Sequence, residues 1–247
     1  MARFAVGLSL VLWFTSFVEA QSDPQALAYA AQAMAVLTDG SAIADATLAG
    51  STTRTVGSVA SSGTGSFYAK GQYESRFDLT LDGGNLSEIR NSLNGPQGEW
   101  IGSDGTVHPS SDVNCQTDVA WFFPALSSLS SSGNSNQTLS YVGLETRNGG
   151  PVQHLRSIWA GQSLSTMDFF LDASTLLPVE ADFYAHPDNN SDTNIPVQVL
   201  FSAYQNFKGP LIPTHIQQVF NGSLLLDLSV TNAVVNSGLP DTLFALQ

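Results

Sequence analysis

The stretch LDASTLLPVEADFY, residues 171–184, decides the fold of this chain. It predicts a β-strand, a turn and a second strand, with Pro178 just inside the second strand. In that second strand Val179, Ala181 and Phe183 alternate with acidic residues. A period of two is typical of a strand with one dry face and one wet face. The stretch therefore predicts one hairpin of an antiparallel sheet.

The same alternation continues through the C-terminal third of the chain, where polar residues such as Asp168, Gln198 and Asp227 separate the apolar ones. Gln218 interrupts one of the apolar rows. The pattern predicts an antiparallel sheet with one dry face and one wet face. A dry face of this length needs a cover, which the curl of the sheet and helical segments can provide. The other dry-face residues are Met167, Phe169, Leu171, Val197, Val199, Phe201, Ile212, Ile216, Phe220, Leu224, Leu226, Leu228 and Val230.

Two segments lack the strand pattern and predict helices. Asp23 and Pro24 are a typical helix start, because Asp caps free amide groups and Pro fits the first helical turn. The Ala-rich run that follows ends at TDG, residues 38–40. In the second segment, residues 115–131, Pro124 lies among apolar residues and predicts a kink or two short helices. Those apolar residues have helical spacing and are Val119, Phe122, Leu126 and Leu129.

Short β segments with turns between them fill the rest of the chain. Asn221-Gly222, between two apolar alternating segments, is the strongest short hairpin signal in the sequence. Residues 127–136, SSLSSSGNSN, predict a polar loop. We predict an α+β fold that is mainly antiparallel β, an incomplete barrel of about 10–12 strands. Helices are expected to lie across its apolar concave face.

The first twenty residues have the layout of a secretory signal peptide. Arg3 precedes an apolar run from Phe4 to Val18, and Ala20 ends a candidate cleavage site. The sequence therefore predicts a signal peptide over residues 1–20 and a single domain over residues 21–247. The exported protein is expected in the periplasm or outside the cell. No second long apolar run follows, so we expect no membrane span in the mature chain.

The chain is acidic, with a formal net charge of −13. A negative surface repels nucleic acid and anionic membranes, so neither is an expected partner. The expected partners are a lipid or another apolar small molecule, or an envelope protein. We expect the protein to be a monomer. The single cysteine, Cys115, cannot form an internal disulfide and is expected to be a buried thiol.

Motifs of catalytic and metal-binding sites are missing from the sequence. It contains no GxSxG elbow, HExxH, P-loop or CxxC, and its four histidines share no spacing. Asp188, Asn190 and Asp192 have the spacing of an EF-hand start, but Thr193 stands where that loop needs Gly. We therefore predict no catalytic residue, no metal site, no cofactor and no enzymatic activity. A secreted hydrolase would need a nucleophile, a base and an orienting group that converge in space.

The order of elements along the mature chain resembles the periplasmic lipoprotein-carrier superfamily, the LolA/LolB-like proteins. The family order is a helix, a curved sheet, an aromatic helical segment and a second stretch of curved sheet. The resemblance covers about 200 residues and is carried by several segments in the same order as in the family. They are GTGSFYAKGQYESRFDL (63–79), SDGTVH (103–108), LDASTLLPVE (171–180), FSAYQNFKGPLIPTHIQ (201–217) and NSGLPDTLF (236–244).

The resemblance implies an unclosed antiparallel barrel with a helical lid and an apolar interior, which in the better-known members holds acyl chains. It thus implies a non-enzymatic carrier or sensor of an apolar ligand. The aromatic segment Trp121-Phe122-Phe123 and the apolar strand faces are the candidate lining. The candidate ligand-binding residues are Phe77, Leu79, Trp100, Trp121, Phe122, Phe123, Phe169, Phe183, Val199, Phe201, Ile216 and Leu226.

Two observations keep an alternative function open. The lipoprotein carriers have Arg-Pro after the Lys that ends an early strand, whereas here Lys70 is followed by Gly71-Gln72. An apolar helix face is also often plain core, and the fourteen Phe residues can fill space. The alternative function is therefore a structural or protein-interaction domain with a filled interior and no ligand.

Overall fold

The structure is a computed structural model that describes residues 21–117, 119–159 and 162–247. The described residues form one antiparallel sheet of 13 strands with short helical segments. The strands are β1 Asp45–Val56, β2 Val59–Lys70, β3 Glu74–Leu81, β4 Gly84–Asn91, β5 Gln97–Ile101, β6 Val107–Pro109, β7 Gln137–Arg147, β8 Gly150–Trp159, β9 Gln162–Asp172, β10 Pro178–Ala185, β11 Ile195–Asn206, β12 Leu211–Phe220 and β13 Ser223–Val235.

The sheet consists of two meanders that join where β1 pairs with β13. We call strands β1–β6 the first arm and strands β7–β13 the second arm. The order of strands ends at β6 on one side and β7 on the other, so the sheet is not closed. The predicted incomplete barrel is confirmed. The strand count exceeds the expected 10–12 because the turn at residues 102–106 separates two short strands, β5 and β6.

Residues 171–184 form the predicted hairpin. Strand β9 ends at Asp172, and β10 begins at Pro178. The turn between them is held by Asp172 Oδ1, which accepts hydrogen bonds from the backbone amides and hydroxyls of Ser174 and Thr175. These hydrogen bonds, led by that from the Ser174 hydroxyl, lower the pKa of Asp172 to about 2. The alternation on β10 points Ala181 and Phe183 into the core, as predicted.

The first predicted helix is confirmed as α1, Pro24–Thr38. The Asp23 carboxylate accepts a hydrogen bond from the Gln25 amide at 2.8 Å and so caps the first turn. The helix ends where Asp39 adopts a left-handed conformation at φ 51°. Its buried face packs against β7, β12 and two short 3-10 helices, Pro124–Leu126 and Ser128–Ser131. The helix therefore covers part of the concave face of the sheet.

The bridging segment, residues 110–136, connects the two free edge strands β6 and β7. It holds a short helix, α2 Asp112–Thr117, and two 3-10 helices, Pro124–Leu126 and Ser128–Ser131. The prediction of short helical pieces is confirmed, with Pro124 starting a new turn. The loop predicted from residue 127 is wrong at its start, because the Ser127 hydroxyl accepts from the Leu129 amide and caps a 3-10 turn.

The predicted signal peptide, residues 1–20, lies outside the described residues. Across the part of the chain that the structure describes, no helix combines the length and apolar character needed to cross a membrane.

Candidate functional site

The concave face of the sheet gathers most of the predicted ligand-binding residues into one cluster. Ten of the twelve are buried in it, and Phe77 packs against it partly buried. The bridging segment inserts into this cluster from the open side of the sheet. The ten buried residues are Leu79, Trp121, Phe122, Phe123, Phe169, Phe183, Val199, Phe201, Ile216 and Leu226.

Aromatic rings fill the middle of the concave face. The ring of Phe122 lies 5.2 Å from that of Phe67 and 5.5 Å from that of Trp121, between centroids, in edge-to-face arrangements. Phe67 also stacks on Phe77 at 5.5 Å. Phe122 and Phe123 are fully buried, which leaves this part of the interior packed with side chains.

Trp100 is the predicted residue that the structure sets apart from the cluster. It lies on β5 near the free edge of the first arm, opposite Glu88 on β4 and His108 on β6. Its ring stacks on the His108 ring at 3.9 Å with an interplanar angle of 13°. The ligand-binding role of all twelve residues stays a prediction.

A cavity of about 500 Å³ lies at one end of the concave face, between the two arms. Its wall combines turns of the first arm, the bridging segment and the ends of strands in the second arm. Gly95 and Asn136 are exposed residues of this wall, so the cavity reaches the surface. The lining residues are Gln72, Tyr73, Ser92, Gly95, Pro96, Thr117, Val119, Ala120, Trp121, Leu126, Ser127, Ser128, Asn136, Trp159 and Met167.

A second cavity of about 470 Å³ lies beside the first, under the C-terminal end of α1. The two cavities share Gln72, Tyr73 and Leu126. The shared wall is fixed by a hydrogen bond of 3.0 Å from Gln72 Nε2 to Ser130 Oγ. The other lining residues are Met34, Thr38, Ser41, Ala42, Ile43, Gly71, Ala125 and Ser130.

Of the twelve predicted residues, Trp121 lines one of the cavities. The rest of the lining was not predicted, because much of it is small or polar and lies in turns and in the bridging segment. The dry-face alternation had marked Met167 as an inward residue. Tyr73 in the β2–β3 turn was a further signal, since an aromatic residue in a tight turn rarely serves solvation alone.

The outer face of the second arm carries a separate network of ions. The ring nitrogens of His154 lie at hydrogen-bond distance from the carboxylates of Glu145, at 2.7 Å, and Asp168, at 2.9 Å, and Arg156 pairs with Asp168. Phe170, which alternation assigns to the wet face, is buried there, with the Arg147 guanidinium 3.9 Å from its ring centroid. None of these residues lines either cavity. The network is thus a cover for one apolar ring on the outside of the sheet.

Within the described ranges, no three His, Cys, Asp or Glu side chains are grouped so that they could hold a metal ion. Cys115 is buried and forms no disulfide there.

Three solved structures share this fold over nearly the whole chain. A LolA superfamily protein from Nitrosomonas europaea matches with a TM-score of 0.58 at 12% identity, covering 90% of this chain and 97% of its own. A DUF1329 family protein from Desulfovibrio piger matches with a TM-score of 0.57 at 15% identity, covering 91% and 98%. A domain described as an outer membrane lipoprotein-sorting protein domain from Vibrio parahaemolyticus matches with a TM-score of 0.56 at 13% identity, covering 89% and 96%.

No family model matches the sequence, and no curated protein matches it either. At such low identities the structural likeness shows the fold. The resemblance to the LolA/LolB-like proteins, predicted from the order of segments, is confirmed at that level.

Proposed function

From a LolA-like fold with two adjoining cavities, we propose that this protein binds an apolar molecule, such as a lipid, an acyl chain or the acyl part of a lipoprotein. It acts as a non-enzymatic carrier or sensor and needs no cofactor. The observation that carries the proposal is the cavity of about 500 Å³, walled by Trp121, Trp159 and Met167, at the end of a concave face whose middle is packed. Its size lies in the range of typical small-molecule sites.

The location of the cavity also supports this function. It lies between the two arms and behind a segment made of short helical pieces, so side chains there can separate without breaking a strand ladder. Both cavities share Gln72 and Leu126, so a long or branched ligand could extend from one into the other if the Gln72 side chain released Ser130. The fold neighbours include a protein described as lipoprotein-sorting, which agrees with an acyl ligand.

The proposal includes export. Residues 1–20 would act as the signal peptide, and residues 21–247 would work as one domain, a monomer, in the periplasm or outside the cell. The formal net charge of −13 disfavours nucleic acid and anionic membranes as partners.

A second function is favoured by the filled middle of the concave face. Phe122 and Phe123 are fully buried against the sheet, as expected of a domain whose interior serves stability alone. In that case an envelope protein would be the partner, and the cavities would stay empty.

The deciding experiment extracts the protein, residues 21–247, purified from its host, with organic solvent and analyses the extract by mass spectrometry. The carrier proposal expects an apolar compound at about one per chain. Ala120→Phe, which adds a ring to the cavity wall, is expected to reduce that compound, whereas Ala60→Phe on the exposed β1–β2 hairpin should retain it. A clean extract from a folded wild-type protein that also takes up no apolar ligand would leave the interaction-domain function.

A further inference from the structure

The hydroxyl groups in the wall of the larger cavity determine which polar end of a ligand can hydrogen-bond there. Three hydroxyl hydrogens of the wall already point to backbone carbonyls. Ser92 Oγ donates to Cys115 O at 3.2 Å, Thr117 Oγ1 to Val113 O at 2.9 Å and Ser127 Oγ to Pro124 O at 2.7 Å. A hydroxyl whose hydrogen is committed offers its remaining lone pairs to a ligand, and Ser127 has one fewer to offer because it accepts from the Leu129 amide. These groups therefore act mainly as acceptors.

The remaining polar groups of the wall are neutral. Gln72 gives one amide hydrogen to Ser130, which leaves its carbonyl oxygen as an acceptor beside both cavities. Tyr73 and Asn136 can each donate and accept. Every described residue that lines either cavity is uncharged at neutral pH.

The sequence supplies no cation to this wall. Lys, Arg and His are absent from residues 21–53, 91–107, 109–146 and 157–185, and residues 71–73 are Gly-Gln-Tyr. The nearest cations along the chain each have a carboxylate partner, in the pairs Lys70–Asp241, Arg76–Asp78, Arg90–Glu88 and Arg156–Asp168. An anionic group entering the cavity would lose water and meet no countercharge, with only neutral donors such as Tyr73 and Asn136 in the wall, which is unfavourable.

We propose that the site selects ligands whose polar end is uncharged and donates hydrogen bonds, a hydroxyl or an amide, and discriminates against carboxylate and phosphate ends. This inference rests on the proposed function, because it names the class of apolar molecule that the cavity takes. A cation in the wall would have favoured a carboxylate or phosphate end through charge-assisted hydrogen bonds, and this wall holds none among its described residues.

The test compares ligands of equal chain length that differ in the polar end. The protein, residues 21–247, is titrated at pH 8 with dodecan-1-ol, dodecanamide and dodecanoate below their aggregation limits. Fluorescence of Trp121 and Trp159, which line the cavity, reports binding. We expect the alcohol and the amide to bind at least about tenfold more tightly than dodecanoate, because a buried charge without a partner is costly.

The outcomes separate this inference from the proposed function. Equal or tighter binding of dodecanoate would overturn the neutral-ligand inference and leave the carrier function standing. If neither neutral nor charged ligands bind, the carrier function itself fails. Lowering the pH should tighten dodecanoate binding as its carboxylate takes up a proton, and an affinity that stays constant with pH would count against the inference.

A charge-gain variant provides a matched check. Gln72→Lys introduces an ammonium group in the wall shared by the cavities, and we expect it to raise the affinity for dodecanoate by about tenfold. The control, Asn85→Lys, makes the same change of net charge at an exposed position on β4. An equal gain in both variants would mean that overall charge, and not the cavity wall, sets the preference. If Gln72→Lys does not fold, the pH dependence of dodecanoate binding to the wild-type protein tests the inference instead.

Discussion

The middle of the concave face is filled and its end is hollow, although the same sheet forms both. In the middle, Phe122 and Phe123 of the bridging segment are fully buried against the strands. At the end, the same segment presents Ala120, Ser127 and Ser128 to an open volume of about 500 Å³. The hollow end is walled by turns of the first arm and strand ends of the second arm as well as by this segment, so the difference depends on which side chains from distant segments meet there.

Residues that stabilise the interior and residues that could bind a ligand therefore lie in different parts of the concave face. Filling a void with apolar groups stabilises a protein, so a cavity of this size is a loss that packing alone does not explain. The filled middle supplies the stability of the domain, and the hollow end is where a ligand would contribute contacts. Substitutions in the two regions should therefore differ in what they change.

The largest expected effect is on the filled middle. Phe122→Ala removes a fully buried ring that packs on Phe67 and Trp121, and should lower the free energy of unfolding by about 3–5 kcal/mol. Urea unfolding followed by circular dichroism measures it. A loss below about 1 kcal/mol would show that the middle is not tightly packed.

A smaller loss of stability is expected from Trp121→Ala, because this ring borders the cavity on one side, so that its removal enlarges an existing void instead of opening a new one in the packed middle. We expect its cost to be at least about 1 kcal/mol lower than that of Phe122→Ala. Ligand affinity should respond in the opposite order, with Trp121→Ala the more damaging. Equal effects of both variants on both readouts would remove the distinction between the two regions.

The outer face offers a third readout, independent of the interior. Burial and the neighbouring Glu180 raise the pKa of Asp182 to about 7 from an ordinary 3.8, with Asp168 adding to the rise and Arg147 opposing it. Between these values the folded chain holds a proton that the unfolded chain has lost, so stability falls as the pH rises from about 4 to about 7. Above pH 7 this contribution stays constant.

Asp182→Asn should abolish that slope. Relative to the wild type, the variant is expected to gain about 1 kcal/mol in free energy of unfolding between pH 4 and pH 7. Ligand affinity should stay unchanged, because Asp182 lies on the face away from the cavities. Asp192→Asn in an exposed loop is the control. Parallel pH profiles for wild type and Asp182→Asn would contradict the assignment.

The smallest effect concerns the wall between the cavities. Gln72→Ala breaks the hydrogen bond to Ser130 and should cost about 0.5–1.5 kcal/mol. It should also favour bulkier ligands, since the two cavities then merge. A double-mutant cycle with Ser130→Ala isolates the pair, and a coupling energy near zero would show that this bond does not hold the wall.

The fold could be predicted because its signals are local. Each of these signals depends on neighbours in sequence, and each appears in the structure as expected. They are the period of two on β10, the turn at Asp172, the helix cap at Asp23 and the new helical turn at Pro124. Alternation failed at Leu224, which it assigns to the dry face but which is exposed, and at Phe170, which it assigns to the wet face but which is buried. Arg147 and His154 cover this ring in space, and a single-strand pattern does not reveal such a cover.

The cavities could not be predicted in the same way. The bond that separates them joins Gln72 to Ser130, 58 residues apart, and their walls come from both arms of the sheet. Apolar patterns find where side chains pack, whereas a void depends on where small side chains from distant segments meet. The residues predicted from the sequence are therefore mainly large apolar side chains, and of these Trp121 borders the larger cavity.

The most direct measurement is the quenching of individual tryptophans by a brominated, uncharged twelve-carbon alcohol. Residues 21–247 contain Trp121 and Trp159 in the cavity wall and Trp100 stacked on His108 apart from it. Trp100→Phe leaves the two cavity tryptophans, and the double variant Trp121→Phe/Trp159→Phe leaves Trp100 alone. We expect saturable quenching in the first protein and none in the second. Quenching of Trp100 alone, or of neither set, would contradict a ligand site at the hollow end of the concave face.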